Sequence, residues 1–270
     1  MRNVNPTVFL IGRSTVDLME ISEWMSYLKT TFNIDSNSTP GELLVQLAGK
    51  RCYMSFQVGL NPNIQRVRED MGDFIDNILK VGHGSVLEHS VYNFALEGVS
   101  RVFSAEMNRH RAGMAISEGS LRFIRFDDIP FWMPDSLQDK SWDSEDLLEK
   151  KASSRGIFHE VFLKVERCYA ELCEIWKEEL KPESKFALKK NITSMLRRII
   201  PLGVATGGVW TGNLRSLRHI FTMRCAPEAE EEILLVASLM LQKMIEAEPL
   251  FFKDFHKDEQ GYWRPKYVKV

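Results

Sequence analysis

The side chains best suited to chemistry in this 270-residue chain lie in residues 109–123, which read RHRAGMAISEGSLRF. Arg109 and Arg111 flank His110. A guanidinium is a planar set of donors that stays charged at any working pH. Two of them beside a histidine suit a polyanion such as a phosphate or a diphosphate. An isolated RHR triplet also occurs as a solvated basic turn, because short motif matches have a high false-positive rate.

A second pair of anion-binding side chains follows the triplet. Ser120 and Arg122 are two residues apart, so on an extended segment they would point to the same side. Glu118 precedes them after a short spacer that contains glycine. The stretch therefore predicts two neighbouring anion sites.

Polar residues that secondary-structure propensity does not require recur in two other parts of the chain. Upstream, residues 81–89 read VGHGSVLEH, and the two glycines allow the backbone there to turn tightly or to approach a ligand closely. Three separated blocks of this kind are more than a solvated face requires. The candidate residues outside the first stretch are His83, Ser85, Glu88, His89, Glu106, Arg198, Asn213, Arg215, His219 and Arg224.

Hydrophobic periodicity predicts the elements that position these blocks. Residues 91–97 alternate with a period of two, which is typical of a half-buried strand. From Arg101 the period becomes helical, and Gly113 is a suitable residue to end that helix. The triplet would then lie in the last turn, where exposed carbonyl groups favour cations. A helix over residues 213–224 would place Arg215 and His219, which are four positions apart, on one face.

The remaining pattern predicts further helices around a small mixed sheet, and thus an α+β fold in a single domain of residues 1–270. Residues 8–11 form a short strand, and Cys52 lies just beyond a helix that opens at residues 42–47. Residues 134–185 are a helical insertion, and residues 202–210 are an apolar stretch with glycines. The other predicted helices cover residues 16–31, 67–80, 144–180 and 186–200, and a last one begins at Pro227, since proline suits the first helical position.

Composition limits the function classes. Hydrophobic residues make up 44% and charged residues 27%, as in an ordinary soluble globular protein. The net charge of −2 provides no global basic field for nucleic acid. The longest apolar run, residues 233–241, is well short of a membrane span. No targeting segment is visible, so we expect a cytoplasmic protein that binds neither nucleic acid nor membrane.

The four cysteines point to a reducing compartment rather than to a metal or disulfide framework. Cys52, Cys168, Cys173 and Cys225 form no CxxC pair, and no Cys/His spacing matches a zinc site. We interpret them as free thiols, with Cys225 a buried structural thiol rather than a nucleophile.

The three blocks together resemble the flavin-dependent thymidylate synthases. The RHR triplet, an eight-residue spacer and Ser120 resemble that family's RHR-spacer-Ser signature. GHGSVLEH is similar to its GHxSxxEH segment, and RRIIPLG followed by WTGNLRSLRHIFTMR is similar to its third block. The resemblance covers roughly residues 65–130 and 190–250. It is specific because the three blocks occur in the family's order, although each alone would be weak.

The resemblance implies an FAD enzyme that methylates dUMP to dTMP. Methylenetetrahydrofolate would supply the carbon, NADPH the reducing equivalents, and no enzyme cysteine would act as nucleophile. Arg224 would contact the uracil and favour ionisation at N3, where a cation stabilises developing charge. In the flavin set, Arg109, His110 and Arg111 would hold FAD together with His83 and Glu118. Neighbouring subunits would contribute Ser85, Asn213, Arg215 and His219. The nucleotide set would comprise Glu106, Arg109, Glu118, Gly119, Ser120, Leu121, Arg122 and Arg198.

The resemblance also implies the family's own α+β fold, the thymidylate synthase-complementing fold, and a homotetramer with active sites at subunit interfaces. Three residues depart from the commonest family pattern. Glu106 stands where many members have Gln, Phe123 where Tyr is usual, and His219 where Asn is usual. Glu106 could pair with Arg109 or His110 at helical spacing.

Two other hypotheses remain open at this point. A related enzyme could use flavin and folate on another pyrimidine nucleotide, with the same triplet and a different pocket near Glu106 and Arg198. A non-catalytic anion-binding module could be built on the basic triplet. The net charge and the lack of aromatic residues interleaved with the basic ones argue against the module.

Overall fold

The computed structural model describes residues 2–124, 126 and 128–269 of the chain. Its central element is a four-stranded sheet in which the neighbouring strands follow the order β2-β3-β6-β4. Helices accompany this sheet and two smaller two-stranded sheets, so the predicted α+β class is confirmed. The strands of the main sheet are β2 (Thr7–Arg13), β3 (Val91–Ser100), β4 (Met114–Glu118) and β6 (Ala205–Asn213).

The chain divides into two compact units, and all but one of their boundaries fall within these strands. The exception lies between Arg109 and His110. The first unit contains the segment through Val8, Leu96–Arg109 and Ile116–Val209. The second unit contains Phe9–Ala95, His110–Ala115 and the segment from Trp210 onward. The single domain of residues 1–270 stays a prediction.

The first unit is built around one long helix. Its elements are β1 (Arg2–Asn3), α4 (Arg101–Met107), β5 (Pro130–Phe131), α5 (Glu145–Ile175) and α6 (Phe186–Leu196), with 3₁₀ turns at Asp135–Leu137 and Arg197–Ile199. The strands β1 and β5 pair in parallel. Ser144 begins α5, because its side chain accepts a hydrogen bond from the Leu147 N–H. Phe162 and Tyr169 of α5 are buried in two small cores.

The second unit contains most of the helices. They are α1 (Leu18–Tyr27), α2 (Pro40–Tyr53), α3 (Met71–Val81), α7 (Leu214–Arg224), α8 (Glu231–Ala247) and α9 (Pro249–Phe252), with a 3₁₀ helix at Gly84–His89 and the antiparallel pair β7 (Phe255–Lys257) and β8 (Trp263–Pro265). Thr39 and Glu42 form a reciprocal capping box at the start of α2. Asp70 caps α3, and Gly82 ends it in the left-handed conformation.

Several predicted boundaries are wrong. The helix that begins at Arg101 ends at Met107 and not near Gly113, so the RHR triplet lies beyond it rather than in its last turn. The long helix α5 ends at Ile175 and not at residue 180, just before Lys181-Pro182. The last long helix begins at Glu231, because the Glu230 side chain caps it by accepting from two backbone N–H groups.

Three further assignments need correction. Cys52 lies inside α2 rather than beyond it. The glycine-containing stretch after residue 202 leads into β6, a strand whose weak propensity is offset by pairing with a neighbour on each side. β4 lies within a segment predicted as a mere spacer. Among the described helices, none is long and apolar enough to cross a membrane.

Candidate functional site

The two units divide the predicted site residues almost by role. All of the nucleotide set belongs to the first unit: Glu106, Arg109, Glu118, Gly119, Ser120, Leu121, Arg122 and Arg198. The second unit holds Arg224 and most of the flavin set: His83, Ser85, His110, Arg111, Asn213, Arg215 and His219.

In the second unit, α7 positions the largest group of these residues. Asn213 begins the helix, since its side chain accepts a hydrogen bond from the Ser216 N–H at 2.9 Å. Arg218, which is 2% exposed, anchors the middle of the helix through two 2.9 Å hydrogen bonds to the Asp254 carboxylate. With α7 held at both points, Arg215, His219 and Arg224 project at helical spacing.

His110 of the triplet contacts two of these side chains. The Arg224 Nε–H donates to His110 Nε2 at 2.9 Å. The rings of His110 and His219 meet edge to face, with centroids 6.1 Å apart. Because an arginine can only donate, Nε2 must be the acceptor, and the compatible neutral tautomer carries its proton on Nδ1. The structure therefore joins residues predicted to serve the flavin to the residue predicted to serve the uracil.

The backbone carbonyls of the two residues after the triplet, Ala112 and Gly113, accept hydrogen bonds from the start of α7. Ser216 Oγ donates to the Ala112 carbonyl at 2.6 Å, and the Asn213 N–H donates to the Gly113 carbonyl at 3.0 Å. Gly113 has a φ of +67°, and a Cβ there would lie 2.2 Å from Asn213 Nδ2. Glycine is therefore required by both conformation and space. This contact explains why α4 does not extend to Gly113.

An ion pair joins the upstream block to α7. Glu88 lies 2.6 Å from Arg215, and both side chains are about half exposed. His83 instead packs its ring edge to face against Tyr53, with centroids 5.7 Å apart. Ser85 is exposed on the 3₁₀ helix. The upstream block thus contacts α7 through Glu88, whereas the His83 ring contacts Tyr53 of α2.

In the first unit, Glu118 is held by two side chains of α4. Arg101 Nη1 lies 2.8 Å from Glu118 Oε2, and Ser104 Oγ donates to Oε1 at 2.5 Å. Arg101 also donates to the Gly119 carbonyl. The Arg101 and Glu118 side chains are 20% and 13% exposed, so this pair is poorly screened by water. The carboxylate and the backbone that follows it are fixed together.

From their spacing we predicted that Ser120 and Arg122 lie on an extended segment, and this prediction is wrong. The N–H groups of Phe123 and Ile124 both donate to the Ser120 carbonyl at 3.0 Å, which makes residues 120–124 a turn. Arg122 Nε is buried and has no hydrogen-bond partner among the described residues. A buried unpaired guanidinium donor is costly unless a ligand satisfies it, and an anion is the matching partner.

A cavity of about 620 Å³ lies beside this turn within the first unit. Gly119 and Leu121 of the nucleotide set line it, together with Glu97 and Thr206. Its volume is in the range of small-molecule sites. Arg198 lies apart from the cavity lining, exposed on the 3₁₀ turn after α6.

Sequence reasoning missed Arg101, Ser104 and Arg218. A signal for Arg101 was available, because a cation in the first turn of a helix opposes the helix dipole and therefore needs another reason to be there. Arg218 had no such signal, since its partner Asp254 is 36 residues away.

Comparison with known proteins shows the family to which the chain belongs. The model of the thymidylate synthase complementing protein family matches residues 34–250. A flavin-dependent thymidylate synthase of Corynebacterium diphtheriae is 30% identical over 241 residues, which is 89% of each chain. One of Mycobacteroides abscessus is 31% identical over 218 residues, or 80% of each chain. The chain belongs to the flavin-dependent thymidylate synthase family.

Solved structures show the same fold at greater distance. The UMP/dUMP methylase PolB of Streptomyces cacaoi, bound with 5-Br dUMP, matches with a TM-score of 0.59 and 16% identity. The match covers 94% of this chain and 96% of that one. At this identity the match concerns the fold alone.

The three residues that we interpreted as departures from the family pattern each have a defined contact. Glu106 pairs with Arg109 at 3.8 Å, as their spacing predicted. Phe123 stacks on Phe186 with ring centroids 5.8 Å apart. His219, described above, packs against His110. Among the described residues, no group of three or more His, Cys, Asp or Glu side chains is arranged to hold a metal ion.

Proposed function

We propose that this member of the flavin-dependent thymidylate synthase family converts dUMP to dTMP. Methylenetetrahydrofolate is the carbon donor, FAD carries the hydride, NADPH is the reductant, and no enzyme cysteine attacks the pyrimidine. The observation that carries the proposal is the 2.9 Å hydrogen bond between Arg224 and His110, which are 114 residues apart. It connects the nucleotide-activating residue with the flavin triplet through direct contact.

The residues present fit a flavin dinucleotide. Its diphosphate needs cationic donors, and Arg109 and Arg111 are exposed beside His110. The Arg109 side chain is 73% exposed, and its 3.8 Å ion pair with Glu106 is weak enough to be exchanged for a phosphate. Asn213, Arg215 and His219 add donors from α7. When bound, FAD supplies the hydride transfer that no side chain can perform.

Arg122 and Arg198 are the proposed donors to the phosphate of dUMP. The buried, unpaired Nε of Arg122 supports this role, because a phosphate oxygen would satisfy it. Ser120 belongs to the same turn, and its hydroxyl accepts from the Arg122 N–H at 3.3 Å. Glu106, Gly119 and Leu121 complete the proposed nucleotide site.

Arg224 is the proposed activating residue. Methylation at C5 requires negative charge to develop on the uracil ring, and a fixed guanidinium beside the ring favours ionisation at N3. The hydrogen bond to His110 fixes the orientation of that guanidinium. His110 therefore orients Arg224 as well as contributing to the flavin site.

The state of the cysteines supports a mechanism without a thiol nucleophile. Burial raises the pKa of the Cys225 thiol to about 12, so it is not a thiolate at neutral pH. The four cysteines are free. A folate-only thymidylate synthase depends on a reactive cysteine, which makes the distinction testable.

The homotetramer with shared active sites also remains part of the proposal, as does the cytoplasmic location. Family membership supports the homotetramer.

The test is the release of tritium from C5 of dUMP by the purified chain, with FAD, NADPH and methylenetetrahydrofolate each omitted in turn. We expect full turnover to dTMP only with all three. Arg224→Ala should lower the rate by about 10²–10³, as loss of a charge-stabilising donor usually does. UMP assayed in parallel tests the alternative nucleotide. Protein that binds no flavin, or that methylates UMP and not dUMP, would contradict the proposal.

A further inference from the structure

A stripe of exposed apolar side chains runs along α5 in the first unit. Ile157 is 63% exposed, Val161 48% and Ile175 72%, and Phe158 is 40% exposed. Phe162 and Tyr169, the side chains that pack α5 onto its own unit, lie on an adjacent face. Exposed apolar side chains at helical spacing are typical of a helix that packs against a partner.

The spacing of the stripe is that of a helix that pairs with another helix. Intervals of three and four residues alternate without a break, as at the a and d positions of a coiled coil. The positions are Phe158, Val161, Val165, Cys168, Leu172 and Ile175. Val165 and Leu172 are half-buried against the two small cores, and the Phe158 ring stacks on Phe131, so one side of the seam also packs on its own unit. Val161, Cys168 and Ile175 are exposed.

Two charged residues on the edge of the seam decide which partner fits. Lys164 and Glu171 are exposed, and they lie two turns apart, about 10 Å along the helix. If a second α5 packed antiparallel about a twofold axis between them, Lys164 of each copy would face Glu171 of the other. A parallel arrangement would place the two lysines at the same level. The charges are therefore complementary to an antiparallel copy of the same helix.

We propose that α5 is a docking surface for α5 of a second copy of this chain. The twofold axis places Phe158 against Ile175 of the second copy, and Val161 against Leu172. Val165 then packs against Cys168 beside the axis. Two Lys164–Glu171 ion pairs close one edge of the interface. This contact does not depend on the reaction catalysed, and it is separate from the residues assigned to the nucleotide and the flavin.

Chemical cross-linking through Cys168 tests the position of the twofold axis. It is exposed and lies near the centre of the seam, so two copies bring their thiols close together. A short bis-maleimide should therefore link two full-length chains into a covalent dimer. Cys168→Ser should abolish the link, whereas Cys52→Ser, at the other exposed cysteine, should retain it. A link that survives Cys168→Ser and is lost in Cys52→Ser would overturn the proposal.

Sedimentation velocity over a range of concentrations tests the interface without chemistry. Val161→Asp should shift the assembly to a smaller species, because it buries a charge at the seam. Lys164→Glu should weaken association about tenfold, since it replaces two attractive pairs with repulsive ones. Lys164→Glu combined with Glu171→Lys should restore association, because the swapped charges again face each other.

Arg167→Glu is the matched control, as it makes the same charge change on the same helix away from the seam. We expect wild-type assembly from it. Circular dichroism and flavin binding confirm that each variant is folded. The proposal is overturned if the wild type stays monomeric across the micromolar range, or if folded Val161→Asp and Lys164→Glu both assemble as the wild type does.

Discussion

Arg101 Nη1 lies 2.8 Å from Glu118 Oε2, and the same guanidinium donates to the Gly119 carbonyl. The first residue of α4 thereby fixes both a carboxylate and the backbone that leads into the Ser120–Arg122 turn. In the proposed reaction, Arg101 is a positioning residue for the nucleotide site. It need not touch the nucleotide itself.

Arg101→Ala should therefore raise the KM for dUMP by about tenfold, because it removes charge-assisted hydrogen bonds that hold the turn. Arg101→Lys should recover part of this loss, since a lysine keeps the charge but lacks the planar set of donors. The measurement is KM and kcat for dUMP, together with the free energy of unfolding. Arg155→Ala is the control, because Arg155 of α5 is a similarly exposed arginine that pairs with Asp139. Equal effects of the two alanine variants on KM would rule out the positioning role.

Replacement of each cysteine should leave the reaction intact. Cys52→Ser, Cys168→Ser, Cys173→Ser and Cys225→Ala should all release tritium from C5 of dUMP at rates close to that of the wild type. The reason is that the proposed mechanism uses Arg224 rather than a thiolate to activate the ring. A folded, flavin-binding cysteine variant without activity would sink the mechanism.

Gly113→Ala should damage the flavin site through its backbone. The new Cβ would meet Asn213 and Ser216 at the start of α7, in a left-handed conformation that costs about 1–3 kcal/mol for other residues. We expect lower flavin affinity and a lower melting temperature. Gly261 also has a positive φ, +88°, but a Cβ there would have no neighbours within 4 Å. Gly261→Ala is therefore a control that introduces the backbone strain without the steric clash. Unchanged flavin affinity in Gly113→Ala would show that the triplet does not depend on this contact.

The stability of the second unit should depend on pH through a buried carboxyl. Burial raises the pKa of Glu248 above its ordinary value of 4.5, although a hydrogen bond from Thr39 opposes the shift. Glu248 is 1% exposed. A raised pKa means that the folded state prefers the protonated group. Its contribution is complete below pH 4.5 and is lost as the pH rises through the folded-state value.

Glu248→Gln should therefore reduce the decline in the free energy of unfolding as the pH rises above 4.5. Urea denaturation at several pH values measures this. Glu246→Gln is the control, because Glu246 has a 71% exposed side chain two residues away. The same pH dependence in wild type and Glu248→Gln would show that this group does not couple to folding.

Local pattern alone determined much of this protein. Period-two alternation located β3, and helical patterns located α1, α3, α5 and α7. These predictions succeeded because each depends on residues within a few positions of one another. The motif blocks also predicted the candidate site residues, and the comparisons with known proteins confirmed the family.

Long-range contacts decided the rest. Local propensity continues α4 towards Gly113, but Gly113 packs against α7, 100 residues later, and the chain must leave the helix to reach it. β6 has weak strand propensity and exists because it has a neighbour on both sides. The Arg101–Glu118 and Arg224–His110 contacts join residues whose spacing follows no helix or strand period. Sequence predicted the chemistry of these side chains, whereas tertiary structure decided their partners, because hydrogen bonds depend on distance in space and not along the chain.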